Sequence, residues 1–225
     1  SSDLPKALLA SIVMVAVAGL IDIKEVRYLW KANRTDFGLL LLTFAATLAF
    51  GIEEGILIGV VVSILAFVHQ ASRPHMAQLG RVKGTDVYRN LERYPDAEIS
   101  KGVAVFRIDA SLFFGNVEVM KEGLQTLLNN RPDLHVLVLD LYPVNRIDST
   151  ALHALSDLHR LLADREVGLL FSGVKGPVRD AMRKSGLVDT MGEESLFPRI
   201  QNAVDKASSL VNPYLKEDEE TRRSG

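Results

Sequence analysis

The 225-residue chain has no cysteine, which excludes a disulfide-stapled scaffold, thiolate metal sites and a cysteine nucleophile. It also has no strong excess of charge, because 26 basic residues stand against 28 acidic ones; we therefore expect no nucleic-acid partner. It contains no phosphate-binding glycine loop and no G-x-S-x-G elbow. No arrangement of residues indicates catalysis, so we expect a protein that is not an enzyme and has no metal site or cofactor.

Charge is scarce in the first third of the chain. Residues 1–72 carry 11 charged side chains and residues 73–225 carry the other 43. Three charge-free runs, at residues 7–21, 37–52 and 55–68, approach the roughly 20 residues that a membrane helix needs. The alternative, buried helices of a globular core, would need a large apolar surface downstream to cover them. We therefore predict about three transmembrane segments, near residues 4–23, 37–52 and 54–71, at the C-terminal end of a larger membrane protein.

Basic residues flank the second and third of these segments, in the linker 22–36 and after Val68. The positive-inside rule then places both flanks in the cytoplasm, which predicts a multi-pass protein of the inner (plasma) membrane. Ile23, Val26 and Trp30 recur at helical spacing, so the linker is predicted to lie along the inner surface in contact with lipid. Tyr28 and Trp30 would anchor it at the interface.

Two acidic residues, Glu53 and Glu54, lie between the second and third predicted segments. Acids within a membrane are functional candidates, because charge in the bilayer is costly. The simpler interpretation is a solvated turn between two helices, with Gly51 and Gly55 supplying the bend. We favour the turn and keep both glutamates as candidate functional acids.

The second part of the chain alternates strands and helices. Apolar runs predict strands at Val103–Asp109, Val136–Leu141 and Gly168–Phe171, each followed by a helical pattern. This order predicts an α/β domain over 87–211 with a largely parallel sheet, in which helices cover Leu137 and Leu139 of the central strand. Residues 73–86 are then a linker, and the charged tail 212–225 is predicted to be disordered.

One loop of this domain is a candidate for regulation. Asp148, Ser149 and Thr150 open the helix after the central strand, where Asp or Ser caps free backbone amides. A helix N-terminus also stabilises an anion, so a phosphate on Ser149 would be tolerated by its own helix. A phosphorylated Ser149 would add about −1.5 to −2 charge to this surface. The alternative function is therefore a membrane-anchored, phospho-switched interaction module that binds a cytosolic regulatory protein.

Several stretches carry a family resemblance. Residues 147–152 (IDSTAL), preceded by the strand VLVLDL, resemble the signature of STAS domains, which sulphate transporters share with anti-sigma factor antagonists. The upstream stretches resemble the end of the membrane domain of SulP anion permeases: GLID at 19–22, RTDF at 34–37, GIEEGI at 51–56 and SRPH at 72–75. The resemblance spans residues 4–211.

The resemblance implies a secondary transporter of sulphate, bicarbonate or a related anion, often a symporter coupled to protons or sodium. It implies a homodimer in which the STAS domain is cytoplasmic and serves dimerisation and regulation. The anion site of such permeases lies in helices that precede these residues, so no substrate-binding residue is assigned here. Ser149 matches the serine that is phosphorylated in anti-sigma antagonists, but Ala151 stands where those proteins usually have glycine.

Overall fold

A computed structural model describes residue 8, residues 11–16 and residues 22–224. The chain divides into two compact units, Ser1–Phe67 and Val68–Gly225, which are described separately. The predicted segment at residues 4–23 lies mostly outside the described residues. The described part of this segment includes residues 11–16, which are helical.

Three consecutive helices follow along the chain: α1 (Ile23–Ala32), α2 (Arg34–Phe50) and α3 (Ile52–Ala71). Side-chain caps mark the start of α1 and the boundary between α1 and α2. Asp22 caps α1 by accepting hydrogen bonds from the amides of Lys24 (2.9 Å) and Glu25 (3.1 Å). Asn33 ends α1 and caps α2, where its side chain accepts from the Thr35 amide at 3.0 Å. The interfacial linker predicted from the sequence is therefore a capped ten-residue helix.

One helix within the described residues, α3, is long and apolar enough to cross a membrane. Helix α2 is almost as apolar but has 17 residues, about 26 Å of helix against a hydrocarbon core of about 30 Å. The prediction of three membrane segments is thus not confirmed by length and composition. The apolar part of α2 is short because Gly51, with φ of 107°, ends the helix close to the predicted turn. Polar residues also occupy the first turn of α2.

Helices α2 and α3 pack against each other through small residues. Gly55 and Gly59 are the buried residues of α3, and Ala46 is the buried residue of α2. A Cβ atom on Gly59 would lie 2.7 Å from Thr43 Oγ1, and one on Gly55 would collide with Thr47. Close approach of two backbones through such residues is a usual packing mode of helices in membranes.

The second unit is built on a six-stranded sheet in the order β2-β1-β3-β4-β5-β6. The first three strands form antiparallel pairs, and the pairs from β3 to β6 are parallel, as predicted. The strands are β1 (Met76–Arg81), β2 (Tyr88–Asn90), β3 (Val103–Ile108), β4 (Val136–Asp140), β5 (Gly168–Ser172) and β6 (Leu196–Phe197).

Helices connect the parallel strands and a last helix follows them. They are α4 (Val117–Asn130), α5 (Ser149–Ala163), α6 (Gly176–Lys184), α7 (Leu187–Met191) and α8 (Ile200–Ser224). Because β3 to β6 are added in one direction, right-handed crossovers place the connecting helices on one face of the sheet. Helix α8 covers the other face, where its Ala203, Val204 and Ala207 join the buried cluster.

Strand β4 lies at the centre of the parallel pairs and is buried along its whole length. Leu137 and Leu139 belong to the cluster beneath the connecting helices, whereas Val136 and Val138 belong to the cluster beneath α8. This alternation follows from the two-residue period of a strand. Both leucines are completely buried, which confirms their predicted placement; such burial stabilises by about 1.5–3 kcal/mol per side chain.

Two details differ from the sequence-based expectation. The predicted linker 73–86 contains β1, whose sequence MAQLGR has few residues that favour strands, so pairing with β3 decides its conformation. The backbone of 212–224 continues α8, where a disordered tail was expected.

Candidate functional site

The loop after β4 is held by Asp148, which caps helix α5. One carboxylate oxygen accepts a hydrogen bond from the Ala151 amide at 2.9 Å, and the other accepts from the Phe114 amide at 2.8 Å. The sequence left open whether Asp148 or Ser149 is the cap, and the geometry assigns that position to Asp148. Asp148 therefore fixes the start of α5 and also ties it to the loop that precedes α4.

Backbone hydrogen bonds join the same two loops. The Leu112 amide donates to the Arg146 carbonyl at 3.0 Å, and the Asp148 amide donates to the Leu112 carbonyl at 3.1 Å. Leu112 thus forms an isolated parallel bridge with Ile147 and is buried. These backbone hydrogen bonds fix the shape of the loop that carries the candidate residues.

Ser149 and Thr150 are the first two residues of α5, and both are exposed. In the described part of the chain, neither hydroxyl makes a side-chain hydrogen bond. Ser149 also lines a cavity of about 130 Å³ together with His153, Ser156, Ser185 and Thr190. Its hydroxyl is therefore accessible and lies at the end of the helix that favours negative charge.

An exposed aromatic side chain lies beside this loop. Phe114, whose amide binds Asp148, leaves 71% of its surface exposed, and its ring contacts Phe113 edge-on. The sequence pattern that marks Asp148 gives no reason to link it to Phe114, because 34 residues separate them along the chain. The fold alone brings the aromatic ring and the candidate hydroxyl to one surface.

The other candidates, Glu53 and Glu54, lie in the first turn of α3 and are exposed. Acidic residues in a first helical turn interact favourably with the partial positive charge of the helix N-terminus. Gly51, directly before α3, supplies the positive φ of the turn. This geometry accords with the solvated-turn interpretation, and a functional role of the two acids stays a prediction.

A cavity of about 540 Å³ lies at the carboxyl ends of the parallel strands. Its charged and aromatic lining comprises Asp86, Tyr88, Arg107, Asp140, Tyr142 and Arg199. Crevices at this edge of an α/β sheet are common ligand sites. Sequence reasoning missed this cavity, because its residues come from five separate segments.

Asp140 ends β4 and is the buried acid of this cavity. Its Oδ1 atom accepts hydrogen bonds from Ser172 Oγ at 3.0 Å and from the Tyr142 amide at 3.2 Å. Burial raises the pKa of Asp140 above its usual 3.8, although these hydrogen bonds act in the opposite direction. The loss of water around the carboxylate therefore outweighs the two hydrogen bonds.

A second acid near the cavity has the opposite shift. Burial alone would raise the pKa of Asp109, but hydrogen bonds from Arg107 (2.6 Å) and His75 (2.9 Å) hold it below 3.8.

On another wall of the cavity, the Tyr88 hydroxyl donates a hydrogen bond to Gln201 at 3.1 Å, and burial raises the pKa of Tyr88 to about 12. Tyr88 therefore stays protonated at neutral pH and acts as a donor.

Among the described residues, no group of three or more His, Asp or Glu side chains is placed to hold a metal ion.

The sheet, its two helical layers and the capped loop at Asp148 define an α/β domain of the STAS type. The STAS domain family matches residues 94–207, just over half of the chain, and the sulfate permease family matches residues 1–43. The chain therefore belongs to the sulfate permease (SulP) family and carries a STAS domain, as its sequence resemblance indicates.

Curated relatives match almost the whole chain. Sulfate transporter 4.1, chloroplastic, of Arabidopsis thaliana is 36% identical over 99% of this chain and 34% of its own length. High affinity sulfate transporter 2 of Stylosanthes hamata is 33% identical over 89% of this chain and 32% of its own length. The chain thus spans about a third of the length of these relatives, which are named as transporters.

Solved structures share the fold. The murine Solute Carrier 26 family member A9 anion transporter, in the inward-facing state, covers 90% of this chain with a TM-score of 0.77 and 24% identity. A solved structure of SLC26A9 gives a TM-score of 0.75 at 22% identity. This chain covers 33% of each of the two.

Proposed function

We propose that this chain is the C-terminal membrane and regulatory portion of a secondary anion transporter. The observation that carries the proposal is the joining, in one chain, of a sulfate permease segment, a membrane-length helix and a STAS domain. The names of the relatives favour sulfate as the anion, with bicarbonate or a related anion as the alternative.

The STAS domain then has a role in control and assembly, because it is joined to a membrane part in a chain whose relatives are named as transporters. We place the STAS domain in the cytoplasm and the helices in the inner (plasma) membrane, since basic residues flank α2 and α3 on one side. We further propose a homodimer as the working assembly.

Uptake into proteoliposomes tests the transport role. The full-length protein that contains this chain would be reconstituted and supplied with radiolabelled sulfate, bicarbonate, chloride or a dicarboxylate. Uptake of one of these anions above that of empty liposomes is expected. A protein that reconstitutes normally but takes up none of the four would contradict the proposal.

The regulatory role requires a second comparison at equal reconstituted amounts. Deletion of residues 85–225 removes most of the STAS domain and is expected to lower uptake while the membrane part still inserts. Cross-linking in the membrane before and after the deletion reports whether the domain also holds the dimer. Unchanged uptake and unchanged cross-linking would leave the STAS domain without either role.

A second function, the phospho-switched module, is favoured by the exposed hydroxyl of Ser149, which makes no hydrogen bond within the described residues. A phosphate there would lie next to the Asp148 carboxylate, whose hydrogen bond fixes Phe114. Repulsion between the two charges would loosen this bond and change the exposed surface around Phe114. Mass spectrometry of the protein from cells, with Ser149→Ala and Thr150→Ala variants, tests this; an absence of phosphate on Ser149 would contradict it.

A further inference from the structure

Helix α1 separates its basic residues from its large apolar ones. At about 100° per residue, Lys24, Arg27 and Lys31 fall within about 60° of one another around the helix. Ile23 and Trp30 form a neighbouring sector, about 40° beyond Arg27 by the same spacing. A basic sector beside an apolar sector is the pattern of helices that lie in a membrane interface.

The apolar sector faces outward from the protein. Ile23 is 66% exposed and Trp30 is 56% exposed, although one side of the indole is held edge-on by Phe37 at 4.8 Å. Val26 and Leu29 are the partly buried residues of the helix. The helix therefore uses one apolar edge against the protein and leaves the Ile23–Trp30 edge uncovered.

The three cations have no acidic partner in the described part of the chain. The nearest acids on either side are engaged elsewhere: Asp22 caps α1, and Asp36 accepts a hydrogen bond from the Asn33 side chain at 2.9 Å. Glu25 lies about 100° from Lys24 around the helix, outside the basic sector. The positive charge of this sector is thus free to pair with an external anion.

We propose that α1 is a recognition helix for anionic lipid headgroups at the membrane surface. Ile23 and Trp30 enter the boundary between headgroups and acyl chains. Lys24, Arg27 and Lys31 bind the lipid phosphates at the depth of the headgroups. The caps at Asp22 and Asn33 keep this short helix folded, because ten residues alone are too few for a stable helix. The inference rests on the membrane location of the proposed function, and it does not depend on which anion is transported.

The sequence supplies its own probe, because Trp30 is the single tryptophan of the chain. The full chain would be reconstituted in vesicles of phosphatidylcholine and phosphatidylglycerol in which only one of the two lipids carries brominated acyl chains. Bromine quenches tryptophan on contact, so the quenching reports which lipid surrounds Trp30. Quenching by brominated phosphatidylglycerol is expected to exceed the level given by its mole fraction.

Two triple variants identify the source of the preference. Lys24→Gln, Arg27→Gln and Lys31→Gln together should return the quenching to the bulk mole fraction, since each basic residue near such a surface changes association about fivefold at low salt. Lys83→Gln, Arg93→Gln and Lys101→Gln remove the same charge from exposed positions of the other unit and should leave the preference intact. High salt should weaken the preference of the parent chain.

Three outcomes would overturn the inference: equal quenching by the two lipids in the parent, a preference that survives in the α1 variant, or a Trp30 that neither lipid quenches because protein covers it. Flotation of the chain with the vesicles separates these outcomes from a failure of the proposed function. A chain that does not float at all lacks the membrane location itself. A chain that floats and takes part in anion uptake, but shows no lipid preference, loses only the role of α1.

Discussion

Single carboxyl groups at the end of β4 and the start of α5 have different physical roles. Asp148 accepts hydrogen bonds from two backbone amides, one in the first turn of α5 and one in the loop before α4, whereas Asp140 is buried with its charge only partly compensated. Asp148 therefore stabilises the domain through hydrogen bonds. The ionised Asp140 carboxylate instead lowers the free energy of unfolding, by an amount that depends on pH. Substitutions at the two positions should act in opposite directions.

Replacement of the cap should weaken the STAS domain. Asp148→Ala removes the acceptor for the Ala151 and Phe114 amides and should lower the free energy of unfolding by about 1–2 kcal/mol. Denaturant unfolding followed by circular dichroism measures the change. Ser149→Ala is the matched control, because its hydroxyl makes no hydrogen bond within the described residues, and it should change stability little. Equal losses in both variants would contradict the assignment of the cap.

Neutralising the buried acid should stabilise the fold at neutral pH. Because the pKa of Asp140 is raised in the folded protein, ionisation above pH 3.8 costs stability, and the cost grows until the pH passes the folded pKa. Asp140→Asn keeps an Oδ1 acceptor for Ser172 and Tyr142, so it should exceed the parent in stability at pH 7. The gain should vanish near pH 3 in unfolding experiments across this range.

Asp109→Asn serves as the comparison with opposite sign. The pKa of Asp109 is lowered in the folded protein, so its charge stabilises above pH 3.8, and this contribution is lost as the pH falls through the folded pKa. The variant should therefore be less stable than the parent at pH 7. A gain for Asp140→Asn that does not vary with pH would show that packing rather than charge causes it.

At the scale of elements, pairing and packing decide which segments adopt their structure. Strand β1 forms between β2 and β3 despite a weak strand sequence, and α2 and α3 approach through glycine and threonine. Strand β4, by contrast, combines a strongly apolar sequence with complete burial. Each kind of contact leads to a substitution whose effect can be measured.

Adding a large side chain between α2 and α3 should separate them. Gly59→Leu places atoms where Thr43 lies, and it should lower the thermal stability of the chain in detergent or lipid. Overpacking of this kind typically costs about 1–3 kcal/mol. Gly38→Leu in the same helical pair is the control, since a Cβ atom at Gly38 would meet no described atom within 4 Å beyond its own helix backbone and chain neighbours. Equal effects of the two substitutions would contradict this packing.

A charge in the central strand should abolish the STAS fold. Leu139 is completely buried between β3 and β5, so Leu139→Asp leaves an unpaired carboxylate without water, at a cost of several kcal/mol. A cooperative unfolding transition like that of the parent would refute the placement of this strand. Leu161→Asp, at an exposed position of α5, should unfold like the parent.

At the scale of the whole molecule, the chain consists of two units of different character. The helices of Ser1–Phe67 expose most of their apolar side chains, while Val68–Gly225 encloses two apolar clusters around one sheet. A unit with its own buried core folds independently. The two units should therefore respond differently when they are separated.

A fragment of residues 68–225 should fold alone in aqueous buffer. It is expected to show mixed helix and strand by circular dichroism and one cooperative thermal transition, because both apolar clusters lie within it. The complementary fragment of residues 1–67 should require detergent or lipid, since α2 and α3 expose apolar side chains such as Phe44, Leu57 and Ile64. An unfolded or aggregated 68–225 fragment would contradict this division.

The sequence by itself determined the class of the protein. Charge-free runs separated the apolar helices from the α/β domain, the apolar runs of β3, β4 and β5 with a helical pattern after each predicted the parallel sheet, and residues such as Asp148 marked the capped loop. These features are local, because the period of the apolar residues and the chemistry of a helix cap act within a few residues. The sequence resemblance to SulP permeases, confirmed by the family matches, is carried by the same stretches.

Only the tertiary structure decided the features that depend on residues far apart in the chain. It paired β1 with β3 and joined the Phe114 amide to the Asp148 carboxylate by a hydrogen bond. It also brought Tyr88 and Arg199 to the cavity that Asp140 lines, and it left Trp30 exposed beside the cations of α1. The physical reason is that burial, desolvation and close packing are set by neighbours from separate segments, which no local pattern records.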